Sequence, residues 1–587
     1  MTERSPTCIG RVRHVLGATV TVALDSDLAG TTPIFRGHLQ PVGQIGSLVR
    51  IPQGLVDLIA TVSLVGIAEL SGPVKPVESV QHDERWLQVQ LLGEIDRGTG
   101  RFQRGVSSYP GLDDPVHFAT PGQLLSVFPH PDDNNLRLGR LAAAEEVPVC
   151  VDASRLVVRH AAIVGSTGSG KTSVVSSLLQ GFVKGGWDAA NIIVIDPHGE
   201  YAQALANKAS VKSVLATGND QLRVPFWALP ATDIVRVFSK ASGNTTYLNR
   251  FMEHVTEARR EFVKNANWLT LDPTAVTADT PIPFDIRAVW HKLDFENNET
   301  RNQAANPDTV CLISEGDPAT LKPSQFSPYG PGGQPPHKGP FHAVYGTMPD
   351  LLRLGLLDPQ LKFFQKPKAN PQGNDPLVEA MQDWLGGINP VSVLDFSGVP
   401  SAAADLAIGV VLNLIFEVSQ RCNLEGPGIG RPRPVFVVLE EAHRYLGDDA
   451  STLTRQSTNK IAREGRKYGV GLLLVTQRPT ELPDTALAQC GTLIVLRLSN
   501  SEDQNTIRAA LPDAITGLST ILPSLRTGEG IVSGESMILP ARVLFDRPDP
   551  KPLADDPSLT SWRQRPEMPE VRPALTAWRG TYEVADD

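Results

Sequence analysis

The sequence predicts an α/β P-loop NTPase fold with a central, mostly parallel sheet. A small β-barrel stands in front of it, a helical insertion interrupts it, and an extended arm follows it. Three observations carry that reading. Short alternating strands punctuated by Gly and Pro fill the first 130 residues or so. From about Leu136, apolar runs alternate with helical stretches, as they do in parallel sheets. One of those runs enters the loop "GSTGSGKT", Gly165 to Thr172, and a helical stretch leaves it.

The chain is 587 residues long, enough for two to four domains, and its 41% hydrophobic and 20% charged residues are those of a soluble globular protein. Five cysteines are widely spaced with no C-x-x-C pair, which argues against a disulfide framework or a structural zinc and for a reducing compartment. The start "MTERSPTCIGRVRH" lacks an apolar leader. The longest apolar run, "LAIGVVLNLIFEV", reads as too short for a membrane span and is broken by Asn413. A cytoplasmic protein with no membrane partner is therefore expected. The net charge of −10 would repel nucleic acid except at a local basic patch.

Residues 1–133 form the expected barrel. "ATVTVAL" puts Val20, Val22 and Leu24 on one face, and "WLQVQLL" does the same for Leu87, Val89 and Leu91. An irregular β-sandwich is the alternative for this segment. Residues 134–545 form the core, with buried strands expected at 161–164, 192–195, 391–396, 435–439, 472–476 and 493–498. The insertion, about 230–385, holds a helix in "YLNRFMEHVTEARREFV", with Leu248, Met252 and Val255 at helical spacing, and a Pro/Gly-rich loop in "PSQFSPYGPGGQPPHKGP". Residues 546–587 are Pro-rich and carry Trp562 and Trp578, two aromatics that need a docking surface on this chain or a neighbour.

The loop matches G-x-x-x-x-G-K-[ST] in full, and ATP is the fuel it implies. Gly165, Gly168 and Gly170 let backbone N–H groups of Ser166, Thr167 and Ser169 approach phosphates. Lys171 reaches the β and γ oxygens, Thr172 can ligate Mg2+, and Ser173 follows in the first helical turn. Carboxylates are needed at the end of a neighbouring strand, and "VFVVLEEAH" supplies Glu440 and Glu441. Glu440 stands where Asp is usual and can still hold the metal, while Glu441 is placed to polarise the attacking water. Gln477 in "TQRP" ends the next strand, where an amide can sense the γ-phosphate. "DPHGEY" puts Asp196 and His198 at the carboxyl edge of the sheet, where ligands bind, although Asp-Pro-His-Gly is also a good turn. In "STNKIAREGRKYG", Lys460, Arg463, Arg466 and Lys467 face a single Glu464. That cluster can supply an arginine to a neighbouring subunit, contact DNA phosphates, or be a solvated face.

Taken together, "LRLGRL", "VPVCVDASRLVVRHAAIVGSTGSGKT", "DPHGEY", "VLDFSGVP", "VLEEAHRYL", "REGRKYGVGLLLVTQRP" and "LIVLRLSNSED" resemble the HerA family of HerA/FtsK ATPases over roughly residues 136–545. The resemblance implies a RecA-like core and an N-terminal barrel of the ATP-synthase type. It also implies a homohexameric ring, ATP and Mg2+ between subunits, and double-stranded DNA threaded through the centre. Carried over, Lys171 and Thr172 are the P-loop pair, Glu441 the catalytic glutamate, Gln477 the sensor, and Arg466 or Arg463 the finger acting in trans. Arg159 matches a further basic position of the site, and the tail would brace the neighbouring subunit. Family members work with a nuclease in DNA processing, or with a nuclease or sirtuin-like NAD-consuming effector in anti-phage defence. No nuclease or NADase motif occurs in this chain, so an effector would be a partner protein. A scaffold whose ATP site controls docking of that effector is the competing function; a small-molecule kinase lacks an Arg-rich lid segment here.

Overall fold

The computed structural model describes residues 5–25, 28, 34–35, 38–39, 42–67, 85–132, 134–216, 218–241, 243–365, 369–422, 428–447, 452–554, 559, 563 and 571–579. Strands Thr19–Leu24, Cys8–Leu16, Pro115–Phe118, Leu48–Gln53, Val56–Ile67 and Arg85–Asp96 pair in that order. The last pairs back onto the first and closes a barrel, so the sandwich alternative falls. Val20, Val22, Leu87 and Val89 are fully buried inside it, as strict alternation dictates. Arg104 ties the barrel to the core by donating to the carbonyls of Gly534, Met537 and Ile538.

The core is one eleven-stranded sheet. Seven strands are parallel, in the order Thr492–Leu496, Ala161–Val164, Val470–Thr476, Val435–Leu439, Asn191–Asp196, Val391–Asp395 and Ala209–Ser213. Four antiparallel strands extend the sheet beyond Thr492–Leu496: Glu529–Gly534, Ala541–Phe545, Asn135–Leu141 and Ala144–Asp152. The central strands are buried on both faces. Alternate residues therefore feed two cores: Ile193, Val437 and Leu474 on one side, Val194, Val438 and Val475 on the other. The edge strand Ala209–Ser213 and the antiparallel extension are not among the apolar runs of the sequence, because polar residues interrupt them.

Helix Ser401–Arg421 is long and apolar enough, by length and composition, to cross a membrane, so the sequence underestimated that run. It packs in the core, where Thr454 donates to the Asp405 carbonyl at 2.6 Å and Lys460 meets Glu417 at 2.6 Å. In the insertion, helix Thr245–Asn265 buries Tyr247, Phe251, Val255 and Arg259. Leu248 and Met252 are only half-buried, so the inward stripe lies one residue earlier than the sequence suggested. Arg259 is fully buried and donates to the carbonyls of Ala278 and Trp227, which welds that helix to the insertion's loops. The Pro/Gly-rich stretch carries two short strands, Gln325–Phe326 and His337–Lys338. Trp562 and the Trp578 side chain lie outside the described residues.

Candidate nucleotide site

The site lies at the carboxyl edge of the parallel strands, where the loop leaves Ala161–Val164 for helix Lys171–Lys184. Glycine is required at specific points of that loop. A Cβ on Gly165 would sit 2.5 Å from Ser169 Oγ and 2.8 Å from Leu496 Cβ. Gly168 and Gly170 adopt φ of 71° and 100°, the left-handed region open to glycine. The loop thereby turns its N–H groups inward at a helix N-terminus, which is a cradle for phosphate. Ser166 anchors it, its N–H and its hydroxyl both donating to the Arg497 carbonyl at 2.9 Å. Ser169 Oγ is buried with no hydrogen-bond partner. Ser173, in the first turn of the helix, is half-buried.

Lys171 Nζ folds onto the Ser166 carbonyl at 3.3 Å. Burial lowers the pKa of its ammonium group, while Glu440, Glu441 and Glu200 pull it back up. Glu440 follows strand Val435–Leu439 directly and is 5% exposed, with Oε2 unpartnered. Burial pushes its carboxyl up to about 8, repulsion from Glu441 adds to this, and Lys171 opposes it. Glu441 adopts φ of 54°, rare for a residue with a side chain, which turns the strand end sharply into the site. Its Oε1 accepts from Gln477 Nε2 at 3.1 Å, and its Oε2 lies 3.2 Å from His443 Nδ1. Gln477 Oε1 in turn accepts from the Thr167 hydroxyl at 2.7 Å. One amide thus joins the phosphate loop to the glutamate that faces it.

Asp196 and His198 separate. Asp196 is fully buried, and its carboxylate accepts from the N–H groups of His198, Gly199 and Tyr201 at 2.8–3.1 Å. Those bonds make it the cap of a turn, as the turn alternative expects, while His198 stands exposed. The residue of "DPHGEY" that does enter the site is Glu200, whose Oε2 accepts from the Thr172 hydroxyl at 3.0 Å. Sequence reasoning passed over it because an acid in a turn carries no signal until the turn delivers it beside the loop.

The arginines are elsewhere. Helix Thr452–Tyr468 runs into the amino end of strand Val470–Thr476, whose other end carries Gln477. Arg463 and Arg466 therefore stand at the opposite edge of the sheet from this chain's own loop, roughly 20 Å away at about 3.3 Å per residue. They are exposed and, with Arg431 and Lys467, line a cleft of about 380 Å³. Lys460 is not part of this group, since it pairs with Glu417 and lies over Phe416. Arg159 precedes strand Ala161–Val164, sits at the same far edge and forms an ion pair with Glu535. The sheet thus separates Arg159, Arg463 and Arg466 from this chain's own loop, so any part they take in hydrolysis is at a neighbouring subunit's site.

Thr172, Glu440 and Glu200 offer one hydroxyl and carboxylate oxygens, the donors a hard cation such as Mg2+ takes, and the unpartnered Glu440 oxygen fits that use. Among the described residues no three His, Cys, Asp or Glu side chains cluster as a metal site of their own.

Phosphate loop, facing glutamates and bridging amide on a parallel sheet define a P-loop ATPase. Residues 136–310 match the family model of the helicase HerA central domain, and residues 390–537 that of the helicase HerA-like C-terminal domain. The DNA double-strand break repair helicase HerA of Sulfurisphaera tokodaii is 25% identical over 541 residues, covering 89% of this chain and 92% of the relative. Its namesake from Sulfolobus acidocaldarius is 25% identical over 494 residues, 84% of each chain. VirB4 of Thermoanaerobacter pseudethanolicus matches in structure at a TM-score of 0.44 and 14% identity, over 71% of this chain and 97% of that one. The chain belongs to the HerA family and is an ATP hydrolase.

Proposed function

We propose that this protein is the ATP-driven motor subunit of a homohexameric ring that translocates double-stranded DNA. The observation that carries the reading is the bridge from Thr167 through Gln477 to Glu441, which links the phosphate loop to the residue placed to activate water. The family relatives, named as DNA double-strand break repair helicases, supply the substrate. In this reading Lys171 would hold the β and γ phosphates, Thr172 and Glu440 would hold Mg2+, and Glu441 would orient the attacking water. The bound cation would neutralise charge developing on the phosphates. Gln477 would report the γ-phosphate by exchanging its bond to Thr167. Arg466 or Arg463, with Arg159 at the same edge, would act on the nucleotide of the adjacent subunit.

A nuclease or sirtuin-like NAD-consuming partner, in DNA processing or anti-phage defence in the cytoplasm, would supply effector chemistry. The net charge of −10 favours a second reading, an ATP-controlled scaffold that docks and activates that effector with DNA incidental. ATP turnover by the closed ring, with and without linear duplex DNA and with Lys171→Ala as the blank, separates the two. Translocation requires stimulation by DNA that weakens with salt; turnover indifferent to DNA sinks it.

A further inference from the structure

The chain beyond the last core strand returns to the nucleotide site by a route the phosphate-loop motif does not contain. Asp546 N–H donates to the Leu138 carbonyl at 3.0 Å, and the Asp546 carboxylate pairs with Arg137 at 2.7 Å. The chain then crosses helix Lys171–Lys184, where Lys184 Nζ donates to the Asp549 carbonyl at 3.3 Å. Gln180, on the same helix and 6% exposed, is the clamp. Its Oε1 accepts from Asp549 N–H at 2.9 Å, while its Nε2 donates to the carbonyls of Pro550 and Ala204, both at 2.7 Å. Ala204 belongs to the short helix that follows Glu200, so one amide holds both the strap and the segment beside it. At the end of the strap, Leu553 N–H donates to the Glu200 carbonyl at 2.9 Å.

Glu200 is thus held from behind through its backbone while its carboxylate accepts a hydrogen bond from the Thr172 hydroxyl at 3.0 Å. A hydroxyl that donates a hydrogen bond to a carboxylate has its lone pairs turned away from that carboxylate, where they can accept a cation. We propose that Glu200 is a positioning residue of the nucleotide site, orienting the Thr172 hydroxyl for the cation, and that the strap 546–553 sets where Glu200 stands. This rests on the nucleotide-site reading above. The consequence is mechanical: tension on the chain beyond residue 554 reaches Thr172 through two hydrogen bonds.

The test is a Mg2+ titration of the full chain with a slowly hydrolysed fluorescent adenine nucleotide, repeated in EDTA. Glu200→Gln and Glu200→Ala are expected to raise the Mg2+ midpoint by about 10-fold, within the range for residues that orient a ligand, while affinity in EDTA moves by less than about two-fold. Leu553→Pro deletes the N–H that meets Glu200 and also fixes the local φ, with little change to packing since its side chain is exposed, and Gln180→Leu deletes the clamp. Both are expected to shift the midpoint in the same direction. An unchanged midpoint in Glu200→Ala overturns the positioning role. A shift there with none in either strap variant overturns the strap. If the wild type binds no nucleotide, or Lys171→Ala binds as well as wild type, the nucleotide-site reading itself is what fails. Equal loss with and without Mg2+ in the Glu200 variants would mean a general structural role and also overturns the proposal.

Discussion

Glu441 carries the sharpest division of labour at the scale of single residues. It touches Gln477 and lies close to His443, and it makes no bond to the phosphate loop itself. Removing its charge should therefore leave nucleotide binding intact and stop the chemistry. Glu441→Gln is expected to bind a fluorescent nucleotide as wild type does and to lower kcat by about 100-fold or more, the scale of a lost general base. Gln477→Ala is expected to lower kcat less, with little change in KM, since it acts through Glu441. If Glu441→Gln kept wild-type turnover, water activation would have to lie elsewhere. These residues were legible in the sequence because each ends an apolar strand, and a strand end on one edge of a parallel sheet has a fixed place. Glu200 was not legible, because a turn brings it in. Nor was the edge on which the arginines stand, which depends on the direction in which a helix enters its strand.

The element that holds those arginines is pinned by one histidine. His160 is 4% exposed and adopts φ of 54°, and its Nδ1 accepts from Leu472 N–H at 3.0 Å. Burial lowers its pKa to about 4, against a weaker upward pull from its hydrogen bond to the Ala462 carbonyl, which joins the strand to helix Thr452–Tyr468. The folded state thus keeps the ring neutral, whereas the unfolded chain takes up a proton below about 6.5. The stabilisation is complete above pH 6.5 and is lost as the pH falls through 4, amounting to about 3 kcal/mol over that window. Melting temperatures of wild type and His160→Gln at pH 7.5 and 5 check this: the wild type should lose more on acidification than the variant. At this scale the sequence was readable where strands are apolar throughout, as in "VFVVL". It was unreadable where Lys212 or Arg137 interrupts a strand, since such runs look like loops until neighbours pair with them. The helix in the insertion shows a related limit: Val255 is buried as its spacing predicts, but the aromatic Tyr247 and Phe251 take the buried face from Leu248 and Met252.

For the whole molecule, the decisive fact is that the phosphate loop and the basic cleft occupy opposite edges of one sheet. Stacked around a ring, such a chain would present its cleft of Arg431, Arg463, Arg466 and Lys467 toward the loop of the next copy. This arrangement makes a mixing experiment informative. Lys171→Ala lacks a working loop but keeps its arginines, and Arg466→Ala has the opposite defect. Each alone should be nearly inactive, because an arginine supplied in trans is worth about 10³ to 10⁵ in rate. Mixed in equal amounts and allowed to exchange, they should regain about a quarter of wild-type turnover, since about one interface in four would pair an intact loop with an intact arginine. Arg463→Ala in place of Arg466→Ala shows which of the two reaches across. If Arg466→Ala and Arg463→Ala alone keep wild-type turnover, leaving mixing nothing to restore, the cleft takes no part in hydrolysis. Its four cations would then be free for a polyanion, and the salt dependence of duplex binding in an Arg463→Ala, Arg466→Ala double variant would decide that use. A slope reduced by about two phosphate contacts would place DNA in the cleft, and an unchanged slope would leave it a solvated face.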